Sequence, residues 1–188
     1  MKTGQMVPVI LPTGQPGPPL THNSLQHPAI PDNSPTGALA TMTVNTQSRI
    51  KDLNVRVNIT HEWVGDLVID LTSPQGTTVR LADHPGGPDN GGQNLTSTVF
   101  DDEAATNISD ADAPYTGSFR PQADQLSRFD GQRLNGTWTL RVRDLFEGKV
   151  GTVNTWGTTT SPALCDFDGS VLADTTPPET TVTAGPSG

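Results

Sequence analysis

The chain is short of cysteine, of aromatic residues, of charge and of long apolar runs. Cys165 is the only cysteine in its 188 residues, so no disulfide can close within it. No histidine lies near that thiol to mark it as a nucleophile. Charged residues make up only 16% and aromatics 5%, which excludes the highly charged composition of a disordered chain. No apolar stretch approaches the length that crosses a bilayer, and the run Val7 to Leu11 is too short for a signal peptide and is broken by Pro8. Basic residues are scarce: 11 Lys and Arg stand against 20 Asp and Glu, for a net charge of -9. An acidic surface repels phosphate backbones, so no nucleic-acid partner is expected. The same excess of carboxylates suits hard cations such as Ca²⁺, or does no more than aid solubility.

Glycine (19) and proline (17) are abundant, and with many Thr and Asn they suit short strands joined by turns. Residues 1–29 read as a flexible linker broken by Pro8, Pro12, Pro16, Pro18, Pro19 and Pro28. Residues 163–188, with Thr176-Pro177-Pro178, read as a second linker leading to a further domain. Residues 30–162 carry a period of two. Leu53, Val55, Val57 and Ile59 alternate with polar residues, as do Leu67, Ile69 and Leu71, then Val79 and Leu81, then Trp138, Leu140 and Val142. Leu39 to Val44 and Val150 to Thr159 are further candidate strands. Turns are expected at Ser73-Pro74-Gln75-Gly76 and at Asn135-Gly136. No helical stripe of twelve residues is present. The pattern predicts an all-β sandwich or jelly roll of about eight antiparallel strands, with Trp138 and Trp156 as core anchors. The rival use of those two rings is as a platform for sugars.

Several short segments then fall in a familiar order: Ile30-Pro31-Asp32-Asn33, His61-Glu62-Trp63-Val64-Gly65-Asp66-Leu67, Leu71-Thr72-Ser73-Pro74-Gln75-Gly76-Thr77, Phe100-Asp101-Asp102-Glu103-Ala104, Phe129-Asp130-Gly131, Gly136-Thr137-Trp138-Thr139-Leu140, Val142-Arg143-Asp144 and Val153-Asn154-Thr155-Trp156. Their order from Ile30 to Thr160 resembles the P domain, or Homo B domain, of subtilisin/kexin-like serine proteases. The resemblance implies an eight-stranded jelly-roll β-sandwich that follows a protease catalytic domain in the same chain, packs on it and supports its stability. It implies a secreted or cell-surface protein, calcium in some members and a monomeric module. It also allows a second role, as a binding or adhesion module of a surface protein with no protease.

No catalytic residue is expected within the chain. A subtilisin-like triad needs a His-Gly-Thr-His segment and a Gly-Thr-Ser-Met-Ala segment, and neither occurs. There is no Gly-x-Ser-x-Gly elbow, and His61-Glu62 lacks the second histidine of a zinc motif because position 65 is glycine. His61 and His84 therefore read as structural hydrogen-bonding groups. Asp66, in Gly65-Asp66-Leu67, reads as a turn cap that accepts backbone N–H bonds. The densest supply of hard oxygen ligands lies between positions 83 and 103: Asp83, Asp89, Asn90, Asn94, Asp101, Asp102 and Glu103, with glycines at 86, 87, 91 and 92 that let the backbone turn tightly. They predict a structural Ca²⁺ site, against the alternative of a solvated acidic loop. The spacing is not that of an EF-hand.

Overall fold

The computed structural model describes residues 18–162. The linker readings for 1–17 and 163–188, and Cys165, lie outside the described residues. Ten strands form two sheets: β1 (Leu20–Asn23), β2 (Ala29–Ile30), β3 (Ala38–Val44), β4 (Ile50–His61), β5 (Leu67–Thr72), β6 (Thr78–Asp83), β7 (Leu95–Phe100), β8 (Tyr115–Phe119), β9 (Gly136–Asp144) and β10 (Gly151–Pro162). One sheet runs β1-β10-β4-β7-β8, with β2 also on β10, and the other runs β3-β9-β5-β6. The eight main strands β3 to β10 divide four and four, in the jelly-roll manner expected. Among the described residues no helix is long and apolar enough to cross a membrane.

Alternation dictates which face each strand buries. In β4, Leu53, Val55, Val57 and Ile59 are at most 1% exposed while their neighbours face outward. Trp138, Leu140 and Val142 of β9 and Leu67, Ile69 and Leu71 of β5 meet them in a single core. Trp138 is fully buried; its indole N–H donates to the Leu134 carbonyl at 2.9 Å and its ring stands edge-on to Phe129 with centroids 5.1 Å apart. Trp156 is buried to the same degree. Neither ring presents a face to solvent, so the sugar-platform reading fails and the core-anchor reading holds. The turn at Ser73 to Gly76 is there, with Gly76 at φ +84°, a conformation open to glycine at little strain.

Two expectations need correction. Leu20–Asn23, placed in the N-terminal linker, is strand β1: it pairs antiparallel with β10, Leu20 opposite Thr160. Backbone pairing recruits this edge with only Leu20 packed against the core, so its sequence Leu-Thr-His-Asn carries no apolar stripe to announce it. The sandwich is not wholly antiparallel, because β7 and β8 run parallel, joined by the loop from Asp101 to Pro114. Both strands also escape the period-two pattern. Ser97 at φ +51° and Gly117 at φ +100° break their alternation, and the register slips between Leu95 and Thr98.

Candidate functional site

The seven predicted cation ligands divide between several places, with Asp101, Asp102 and Glu103 together on one loop. Asp83 is engaged by its neighbours: Oδ2 accepts from Arg80 Nη1 at 2.5 Å and Oδ1 lies 2.6 Å from His84 Nδ1. Burial alone would raise its carboxyl, but the bonds from Arg80 and His84 overrule burial and hold it below the usual carboxylate range. Asp89 is exposed in the single helical turn Gly87–Asn90. The side chain of Asn90 lies outside the described residues. Asn94, at φ +64°, accepts the backbone N–H of His61 at 3.0 Å. Asp101 accepts the Glu103 N–H at 2.9 Å. Asp102 spends both oxygens on the N–H groups of Leu126 and Ser127, at 2.9 and 2.8 Å, and so holds the start of a 3₁₀ turn. Glu103 is exposed; its carboxyl is pushed up by its bond with Asp101, then by burial and by Asp52. Among the described residues, no group of three or more His, Cys, Asp or Glu is arranged to hold a metal ion. The predicted set thus does not converge on one point. The carboxylates that feel one another are Asp101, Asp102 and Glu103 together with Asp52 and Asp130, two residues the sequence pattern did not select. Burial raises the Asp130 carboxyl, and Asp52 and Asp102 raise it further.

The His61–Leu67 motif builds a different site. His61 ends β4 in one sheet and Asp144 ends β9 in the other. Both side chains are fully buried, and His61 Nε2–H donates to Asp144 Oδ2 at 3.1 Å, so the pair clasps the two sheets at one end. The other ring nitrogen, Nδ1, lies 2.8 Å from the Trp63 carbonyl oxygen and 3.1 Å from the Trp63 backbone nitrogen. The second carboxylate oxygen, Asp144 Oδ1, accepts the Phe146 N–H at 3.1 Å. Gly151, opposite His61 in the sheet, has no room for a side chain: a Cβ there would stand 2.3 Å from His61 Cδ2 and 2.5 Å from the Thr60 carbonyl. The structural reading of His61 holds. With both ring nitrogens engaged and the ring sealed from solvent, the pair offers no base to a substrate.

Above this clasp opens a cavity of about 240 Å³ lined by Trp63, Gly65, Asp66, His84 and Phe146. The chain passes from β4 into β5 through a 3₁₀ turn at Val64–Asp66, in which Val64 is buried and Leu67 N–H closes onto the Val64 carbonyl. That turn aims Asp66 at the cavity. The capping role expected of Asp66 is not seen: among the described residues no donor bonds its carboxylate, because the turn closes through backbone groups alone. Burial, and then the charge of Asp144, push the Asp66 carboxyl above its ordinary range; His61, His84 and Lys149 offset part of this. His84, held at φ +51° by its N–H bond to the Leu67 carbonyl, meets the Phe146 ring edge-on at 5.6 Å.

Residues 50–160 match the family model described as the proprotein convertase P-domain. Among curated proteins, the "Transglutaminase-activating metalloprotease" of Streptomyces mobaraensis is 32% identical over 128 residues, which cover 68% of this chain and 13% of that protein. The "Leupeptin-inactivating enzyme 1" of Streptomyces exfoliatus is 30% identical over 129 residues, 68% of this chain and 23% of that protein. The chain therefore spans under a quarter of the length of either relative. Among solved structures, the serine protease of Aeromonas sobria, in complex with its chaperone, aligns with a TM-score of 0.47 at 16% identity, over 80% of this chain and 28% of that one. By the family model that spans most of its sandwich, this chain belongs to the proprotein convertase P-domain family.

Proposed function

We propose that this chain is the non-catalytic accessory domain of a secreted protease, bracing a catalytic domain carried in the same polypeptide. The observation that carries the reading is the family match over residues 50–160, joined to a relative named as a metalloprotease of which the matching segment is a small part. The sealed state of His61 and Asp144 supports the non-catalytic half of the proposal, since a general base must reach the proton it takes. The class of the parent protease is a finer matter. The motif resemblance points to a subtilisin-like serine protease, whereas the Streptomyces mobaraensis relative carries a metalloprotease name. A serine-directed covalent inhibitor applied to the full-length protein separates the two, because it labels only the first.

The decisive experiment compares the full-length protein with a version lacking residues 18–162. The accessory role predicts a shortened half-life of proteolytic activity on heating, or failure to accumulate active enzyme. Equal yield and equal half-life would refute it. Calcium belongs to the same proposal.

A further inference from the structure

The cavity beside the His61–Asp144 clasp combines aromatic side chains with an acidic one. Trp63 lies against two glycines, and a Cβ at Gly65 or Gly91 would come within 2.8 or 2.7 Å of the indole Nε1, so both positions must stay bare for the ring to seat there. Phe146 also lines the cavity and is 55% exposed, one of few large apolar side chains that the described sandwich leaves in solvent.

The polar groups are unmatched. The Asp66 carboxylate lines the cavity without a donor, and His84 Nε2 is covered without a hydrogen-bond partner. The charges around it do not quench Asp66. Asp144 is bonded to His61, Asp83 to Arg80 and His84, and Glu62 accepts the Val150 N–H. Lys149 acts on Asp66 through its field alone and forms no ion pair with it. A carboxylate that shares a cavity with Trp63 and Phe146 is complementary to a guanidinium, which is planar, weakly hydrated, and able to stack and to donate at once.

We propose that this cavity receives an arginine side chain presented by a protein partner. The chain cannot fill it from its own undescribed ends, since residues 1–17 and 163–188 contain no arginine. The net charge of -9 favours a partner with a basic contact surface. Buried arginine and tryptophan are the residues that most often dominate protein interfaces. That the partner is the neighbouring catalytic domain rests on the accessory reading above; the chemistry of the pocket does not.

The test is a titration of the isotope-labelled chain with Nα-acetyl-arginine amide, followed through the Trp63 indole N–H and the Gly65 amide. Both signals should shift in a saturable way. The uncharged isostere Nα-acetyl-citrulline amide should bind at least about ten-fold more weakly, and so should the variants Asp66→Asn and Phe146→Ala to the arginine probe. No saturable shift, or equal binding by citrulline or by Asp66→Asn, would overturn the assignment. Equal binding by Nα-acetyl-lysine amide would overturn the choice of arginine. No protease enters this titration, so the pocket and the accessory role stand or fall separately.

Discussion

Replacing Asp144 with alanine removes one half of the clasp between the sheets. Asp144 is fully buried and accepts two bonds, from His61 Nε2 at 3.1 Å and from the Phe146 N–H at 3.1 Å. The variant leaves a covered imidazole N–H with no acceptor, and frees the backbone that positions Phe146. Breaking a buried charged pair from one side costs about 3–5 kcal/mol, and a neutral buried donor left alone costs roughly 1–3 kcal/mol. The His61 ring stays held through Nδ1 by the Trp63 backbone, so the lower part of the first range, about 3 kcal/mol, applies. For a domain of this size that corresponds to a fall in Tm of roughly 6–12 °C. Asp144→Asn keeps an acceptor for Nε2–H and should lose about half as much. Calorimetric melts of the two variants, with His61→Phe and the Asp144→Ala/His61→Phe double variant, complete a cycle. The coupling should exceed about 1 kcal/mol, as expected for groups in direct contact. A fall in Tm below about 2 °C for Asp144→Ala, or additive effects in the cycle, would refute the clasp.

Gly151→Ala forces a methyl onto the His61 ring and the Thr60 carbonyl, and should cost about 1–3 kcal/mol of stability in a urea melt; an unchanged midpoint would mean that β10 has slack. Asp66→Asn should raise Tm by about 1–2 °C at neutral pH, a small gain because the group is only partly buried. The sign follows from linkage. The folded carboxyl lies above its unfolded value, so ionised Asp66 destabilises the fold above that folded pKa, and the penalty vanishes as pH falls below the unfolded value. The gain should therefore disappear in acid, and a gain that persists there points to another cause. If the domain binds a structural calcium, excess chelator should lower its stability by about 2.7 kcal/mol for calcium present at a hundred times its Kd, and so lower Tm, and calcium should restore it; identical melts with and without chelator would remove the cation.

What could be read along the chain was whatever repeats locally. Leu53 to Ile59 and Trp138 to Val142 alternate in sequence because each faces a core on one side only, and the period survives without knowledge of the partner strand. β1 and β8 do not reveal themselves in this way, since an edge held by backbone bonds places few demands on side chains. The cation prediction failed to gather its seven residues for a related reason. Proximity between positions 83 and 103 stood in for convergence in space, yet Asp83 closes the β6 end with Arg80 while Asp102 spends both oxygens on Leu126 and Ser127. The motif from His61 to Leu67 was visible, but its chemistry was not. Asp144 lies 83 positions from His61, and Phe146 and His84 reach the same corner from two other loops. Asp66 could be told from a capping residue only once the turn was seen to close through its own backbone. Asp66 shares its cavity with Trp63, His84 and Phe146, and the fold supplies its carboxylate with no donor; a partner's cation is the group that would complete this corner.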